Sequence, residues 1–105
     1  MSDEPRRYSF QENLEESLGS TNVYFQPPEN VKLTYPAIIY NKRTGDYRYA
    51  DNRSYTRFQG YDVMVISTNP DFVDTLDIPD RFPMCRFDRH YVSDNLNHDV
   101  FVIYY

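Results

Sequence analysis

The chain has 105 residues, enough for one domain around one modest core. Only 40% of the residues are hydrophobic, but 11 are Tyr and 7 are Phe, so rings that each bury on the order of 150–250 Å² must supply much of the interior. A net charge of −5 disfavours tight nonspecific binding to nucleic acid or an anionic membrane, the single Cys excludes an internal disulfide and a Cys-based zinc site, and no apolar run reaches the ~18 residues of a membrane span.

Residues 1–8 are polar and are expected to fray, and they lack the apolar segment of a signal peptide. Ser9 followed by Glu12 fits a capping box, in which each side chain satisfies the other residue's backbone N–H. Phe10, Leu14 and Leu18 then recur at i, i+4 and i+8, and Gly19 stands where a helix would stop. The spacing predicts a helix from Ser9 to Leu18, too short to stand alone and therefore docked on something. Asn22 to Gln26 is a brief extended segment ended by Pro27-Pro28. Tyr35 to Tyr40 reads as a strand that is apolar on both faces, with Pro36 at its opening or on an edge.

Residues 41–58 show no sustained periodicity and contain Gly45, which predicts a projecting arm or loop of the kind that often carries function. Arg57 to Ser67 is the next strand, with Tyr61, Val63 and Val65 on one side and Asp62, Met64 and Ile66 on the other. Asn69-Pro70 suits a helix start, Phe72, Val73 and Leu76 form its apolar face, and Pro79 and Pro83 bracket its exit. A final hairpin follows, with strands near Met84–Val92 and Asp99–Tyr105 and a turn at Ser93-Asp94-Asn95-Leu96-Asn97. The order predicts an α+β single domain: an antiparallel sheet of about four strands with short helices packed on one side.

The hairpin carries one Cys, two His and several charges, which invites a catalytic reading. Strict strand alternation puts Cys85, Phe87, Arg89 and Tyr91 on one face and Arg86, Asp88 and His90 on the other, so Cys85 and His90 do not meet, and Cys85 reads as a small core residue. A metal site from Asp88, His90 and His98 or Asp99 rests on no firm motif, and the turn lacks the alternating carboxylates and central Gly of a calcium loop. No Gly-rich phosphate cradle is present. The sequence therefore predicts no catalytic residue, no cofactor and no metal.

Charge is unevenly placed: residues 1–20 sum to −3, residues 41–58 to +3 and residues 61–105 to −5. In the arm, Lys42, Arg43, Arg48, Arg53 and Arg57 interleave with Tyr47, Tyr49 and Tyr55. Tyr and Arg are the residues enriched at protein interfaces. Basic and aromatic residues also bind single-stranded nucleic acid, but Asp46 and Asp51 dilute this patch. The charge pattern suits ordinary solvated surface or, more sharply, two complementary faces that meet between copies, with Lys42, Arg43, Arg48, Tyr49, Arg53, Tyr55 and Arg57 on one side and Asp88, Asp94 and Asp99 on the other.

The ordered set Val23-Tyr24-Phe25-Gln26-Pro27-Pro28-Glu29-Asn30, Tyr35-Pro36-Ala37-Ile38-Ile39-Tyr40, Tyr49-Ala50-Asp51-Asn52, Pro83-Met84-Cys85, Phe87-Asp88-Arg89-His90-Tyr91 and Asp94-Asn95-Leu96-Asn97-His98-Asp99-Val100-Phe101 resembles small virion proteins of long-tailed bacteriophages, the tail-terminator or tail-completion (minor tail) family. The likeness runs from about Asn22 to Tyr105 and departs from the family's polar loop over Asn69–Phe82. It implies a structural protein at the head-proximal end of the tail, built in the host cytoplasm. Such proteins form a ring, usually hexameric, that ends tube polymerisation and offers a surface for head joining. The implied partners are identical subunits, the tail tube protein and the head connector, with DNA passing through the lumen unbound and no membrane. A head-closure or adaptor ring of the neck is the alternative, and a nucleic-acid-binding module is a third reading.

Overall fold

The computed structural model describes residues 6–43 and 58–105. Helix α1 spans Arg6–Leu18, and strands β1 (Val23–Phe25), β2 (Ala37–Lys42) and β3 (Gly60–Ser67) follow. A 3-10 turn at Phe72–Thr75 and a one-turn helix α2 (Ile78–Arg81) lead into β4 (Cys85–Ser93) and β5 (Leu96–Tyr104). The strands form one sheet in the order β1-β2-β3-β5-β4. The α+β class and a sheet of about four strands are as expected, the observed count being five. The extra strand is the short Val23–Phe25 segment, which runs parallel to β2, while every other pairing is antiparallel.

The apolar stripe of α1 docks as its spacing requires: Phe10, Leu14 and Leu18 are buried against Ile38, Tyr40, Tyr61, Val63, Val65, Phe101 and Ile103. Ile78 and Phe82 fill the same face, so both helices lie on one side of the sheet. Phe10 is the hub, with ring centroids 4.5 Å from Tyr61, 5.1 Å from Tyr105, 5.3 Å from Tyr40 and 5.4 Å from Phe82. Burial pushes the Tyr40 and Tyr61 phenols above their ordinary value of 10.0, because an ionised ring oxygen would lose its water there. The buried Tyr40 hydroxyl is satisfied by donating to Gln11 Oε1 and accepting from Arg7 at 3.3 Å.

Several local expectations shift. The helix begins before Ser9, so Ser9 sits inside it and its hydroxyl bonds the Tyr105 hydroxyl instead of capping. Gly19 does end the helix: it takes φ +80° and its N–H returns to Glu15 O at 2.8 Å, an αL cap that favours a residue without Cβ. No regular helix starts at Asn69. Its Oδ1 accepts from Asp71 N at 2.9 Å, a side-chain turn, and the backbone becomes extended at Leu76. Pro79 therefore sits in the first turn of α2, where its missing N–H costs nothing, and does not mark the exit.

The final turn is tighter than the polar run suggested. Only Asp94 and Asn95 turn, at φ 54° and 63°, a two-residue type I′ connection whose twist suits a hairpin. Asn97 joins β5, where it is buried and its Nδ2 donates to Ser67 O at 3.4 Å.

Candidate interaction surface

Strand β4 is an edge, and its pairing with β5 contains a bulge: Phe87 faces Phe101, yet Arg89 faces Val100. The extra residue, Asp88, reverses the alternation for the rest of the strand. Cys85, Phe87, His90 and Val92 thus point toward the helix face, while Arg86, Arg89 and Tyr91 point to the other. Strict alternation had placed Arg89 and Tyr91 with Cys85, and His90 opposite it. The bulge corrects both. Cys85 and His90 still stay apart. They pair with Ile103 and Asp99, four positions apart on β5, which is about 13 Å at ~3.4 Å per residue.

Each chemically suggestive side chain has an ordinary partner. Cys85 is half-buried against the core, and desolvation raises its thiol above the usual 9.0, which favours the neutral thiol. His90 Nδ1 lies 2.7 Å from Asp99 Oδ1. Asp99 is only 4% exposed, in a central strand, so His90 supplies the contact that a buried carboxylate requires. His98 is on the opposite face, stacked on Tyr91 at 4.7 Å and 7°. The two His therefore do not converge, and among the described residues no group of three His, Cys, Asp or Glu is placed to hold a metal ion.

The interface candidates divide. Arg48, Tyr49, Arg53, Tyr55 and Arg57 lie outside the described residues. Lys42 is exposed at the end of β2. Arg43 binds Asp62 at 2.6 Å across the neighbouring strand. Asp88 is held between Arg86 at 3.7 Å and Arg89. Asp94 is exposed in the turn, whereas Asp99 is interior and engaged by His90. Other exposed carboxylates lie on the helix layer, at Glu12, Asp71, Asp74 and Asp80. Beside them, Arg81 binds Asp77 and Glu16, each at 2.9 Å, and this pairing holds the Asp77 carboxyl below its ordinary 3.8.

What the sequence did not single out is the apolar row along β4. Phe87 is 53% exposed and Val92 62%, with Met84 and Tyr91 at 37% and 36%. Among the described residues only Tyr8 and Tyr35 join them as exposed large hydrophobics, so the exposed apolar groups concentrate on β4 and the residue just before it. No single-sequence signal marks them, because hydrophobic periodicity cannot say which strand ends a sheet.

The opposite edge, β1, is three residues long and partly occupied. The peptide groups of Val23 point away from β2. Its N–H donates to Thr21 O at 2.7 Å, and its C=O accepts from Gln11 Nε2 at 2.9 Å. Arg7 lies 4.2 Å over the Phe25 ring beside it. Thr21 and Gln11 thus occupy the outward groups of Val23, and among the described residues β4 is the longer edge of the sheet, nine residues against three. Compared with known proteins, the chain matches no family model, no curated protein sequence and no solved structure.

Proposed function

We propose that this chain is a structural subunit of a bacteriophage tail: a terminator that forms a ring, hexameric in the resemblance, at the head-proximal end of the tube, ends tube polymerisation and presents the surface that joins the head. The observation that carries this reading is the nine-residue edge strand β4 with Phe87 and Val92 exposed on one face, a surface suited to another protein chain rather than to a small molecule. The ordered likeness from Asn22 to Tyr105 supplies the virion context.

In this reading the ring contact is head-to-tail, one patch against a different patch. The cationic residues of 41–58 supply one patch. The anionic side is the exposed turn residue Asp94 together with the helix layer, Glu12, Asp71, Asp74 and Asp80, because Asp88 and Asp99 already have cationic or imidazole partners within the chain. The test is a phage deleted for this gene. Tails should overgrow or remain unjoined to heads, and the purified protein should restore joining when added to such tails. Tails of normal length already joined to heads would refute the role. Co-purification with heads instead of tails would move the protein to the head-closure ring.

A further inference from the structure

The open edge of β4 has a specific occupant. We infer that two copies of this chain pair β4 to β4, antiparallel about a two-fold axis, and so continue one sheet into the other. Three features support this. First, the edge offers hydrogen-bonding groups. Met84 O accepts from Tyr104 N at 2.9 Å, so ladder alternation turns the peptide groups of Cys85 and Phe87 away from β5. The tight turn at Asp94-Asn95 makes Ser93 and Leu96 the closing bonded pair, and the same alternation turns those of Val92 and His90 outward.

Second, those outward positions bear the most exposed large apolar side chains among the described residues, Phe87 and Val92, both on the helix face. An antiparallel pairing with its axis near His90 lays Phe87 of each copy beside Val92 of the other and covers both. On the other face it brings Arg89 of each copy beside Tyr91 of the other. Within one chain that guanidinium already lies 5.8 Å from the ring centroid. Third, the far edge is the three-residue β1, and Gln11 and Thr21 occupy the outward groups of Val23, so it offers little length for a head-to-tail extension. A nine-residue edge with only a short, partly occupied one opposite it favours self-pairing as the way to complete the sheet.

This contact closes after two copies. It is therefore additional to any head-to-tail contact of a ring, and it does not depend on the virion reading. A chain absent from phage particles but dimeric through β4 would sink the ring and leave the pairing intact.

Sedimentation of the purified full chain over a wide concentration range tests it, with two variants alongside. Val92→Pro removes an N–H that the chain itself does not use, at an edge position where Pro is tolerated. Phe87→Lys combined with Val92→Lys charges two exposed positions and serves if the Pro variant misfolds. Circular dichroism and melting confirm that each is folded. The wild type should be a dimer, and each variant should dissociate about tenfold more readily or worse, some 1.4 kcal/mol. A wild type that stays monomeric at the highest concentration overturns the inference. So does any oligomer that both folded variants leave intact.

Discussion

The pair between His90 and Asp99 is the sharpest place to separate structure from chemistry. Asp99 sits in β5, opposite Val65 on one side and His90 on the other, and its side chain is 6% exposed. Replacing His90 by Leu removes its partner and leaves a buried carboxylate facing apolar neighbours. A buried group stripped of its hydrogen bond costs about 1–3 kcal/mol, and breaking a fully buried ion pair costs about 3–5 kcal/mol. His90 is itself 39% exposed, so water reaches that end of the pair, and the lower range applies. We expect His90→Leu to destabilise by about 1–3 kcal/mol. That is a fall in Tm of roughly 4–20 °C for a domain of this size. Asp99→Leu alone leaves only a half-exposed imidazole without a partner and should cost less. The double variant should recover much of the loss, giving a coupling of about 1 kcal/mol or more. Urea unfolding followed by circular dichroism measures all three, with an unchanged m-value as the check that the unfolding transition is comparable. A coupling below about 0.5 kcal/mol would mean that the two residues act independently and that the pair does not hold the edge strand in register.

Other expectations follow from the same geometry. Phe10→Ala removes the ring around which four others pack and should cost about 3–5 kcal/mol by thermal or chemical unfolding, whereas Phe10→Leu should cost much less. Asn95→Gly should be neutral or stabilising at φ 63°, while a β-branched residue there should destabilise by about 1 kcal/mol or more, read as a melting shift. Asp77 has a lowered folded pKa, so its contribution to stability is present above its unfolded value of 3.8 and is lost as pH falls through the lower folded value. Melting against pH should show an acid-side slope that Arg81→Met reduces. If the helix layer is the anionic side of a head-to-tail contact, Asp71→Lys with Asp74→Lys should weaken assembly onto tails. The wild-type assembly should likewise weaken as salt rises, measured by binding to tails lacking the protein. Salt-independent binding would count against that placement.

The sequence by itself determined the parts that depend on local pattern. The spacing of Phe10, Leu14 and Leu18 named the buried face of α1, and Gly19 marked its end. The alternation of Tyr61, Val63 and Val65 named the core side of β3, and the polar run after Ser93 located the hairpin. These were legible because burial repeats with the period of the element, and a turn needs residues that accept positive φ. The α+β class followed from their order. The interface candidates rest on composition alone: a cationic, Tyr-bearing stretch at 41–58 and a surplus of carboxylates elsewhere.

Tertiary structure decided which strand stands at the edge, which carboxylates are already occupied, and which way half of β4 faces. Strand order is set by pairings between residues far apart in the chain, so nothing local distinguishes the buried β5 from the exposed β4, although both are rich in apolar residues. Asp99 and Asp94 look alike in sequence. One is interior and held by His90, and the other is in solvent, because one sits in a central strand and the other in a turn. One inserted residue at Asp88 moved His90 and Val92 to the helix side. A bulge is a relation between two strands, so it becomes visible only once the second strand is in place.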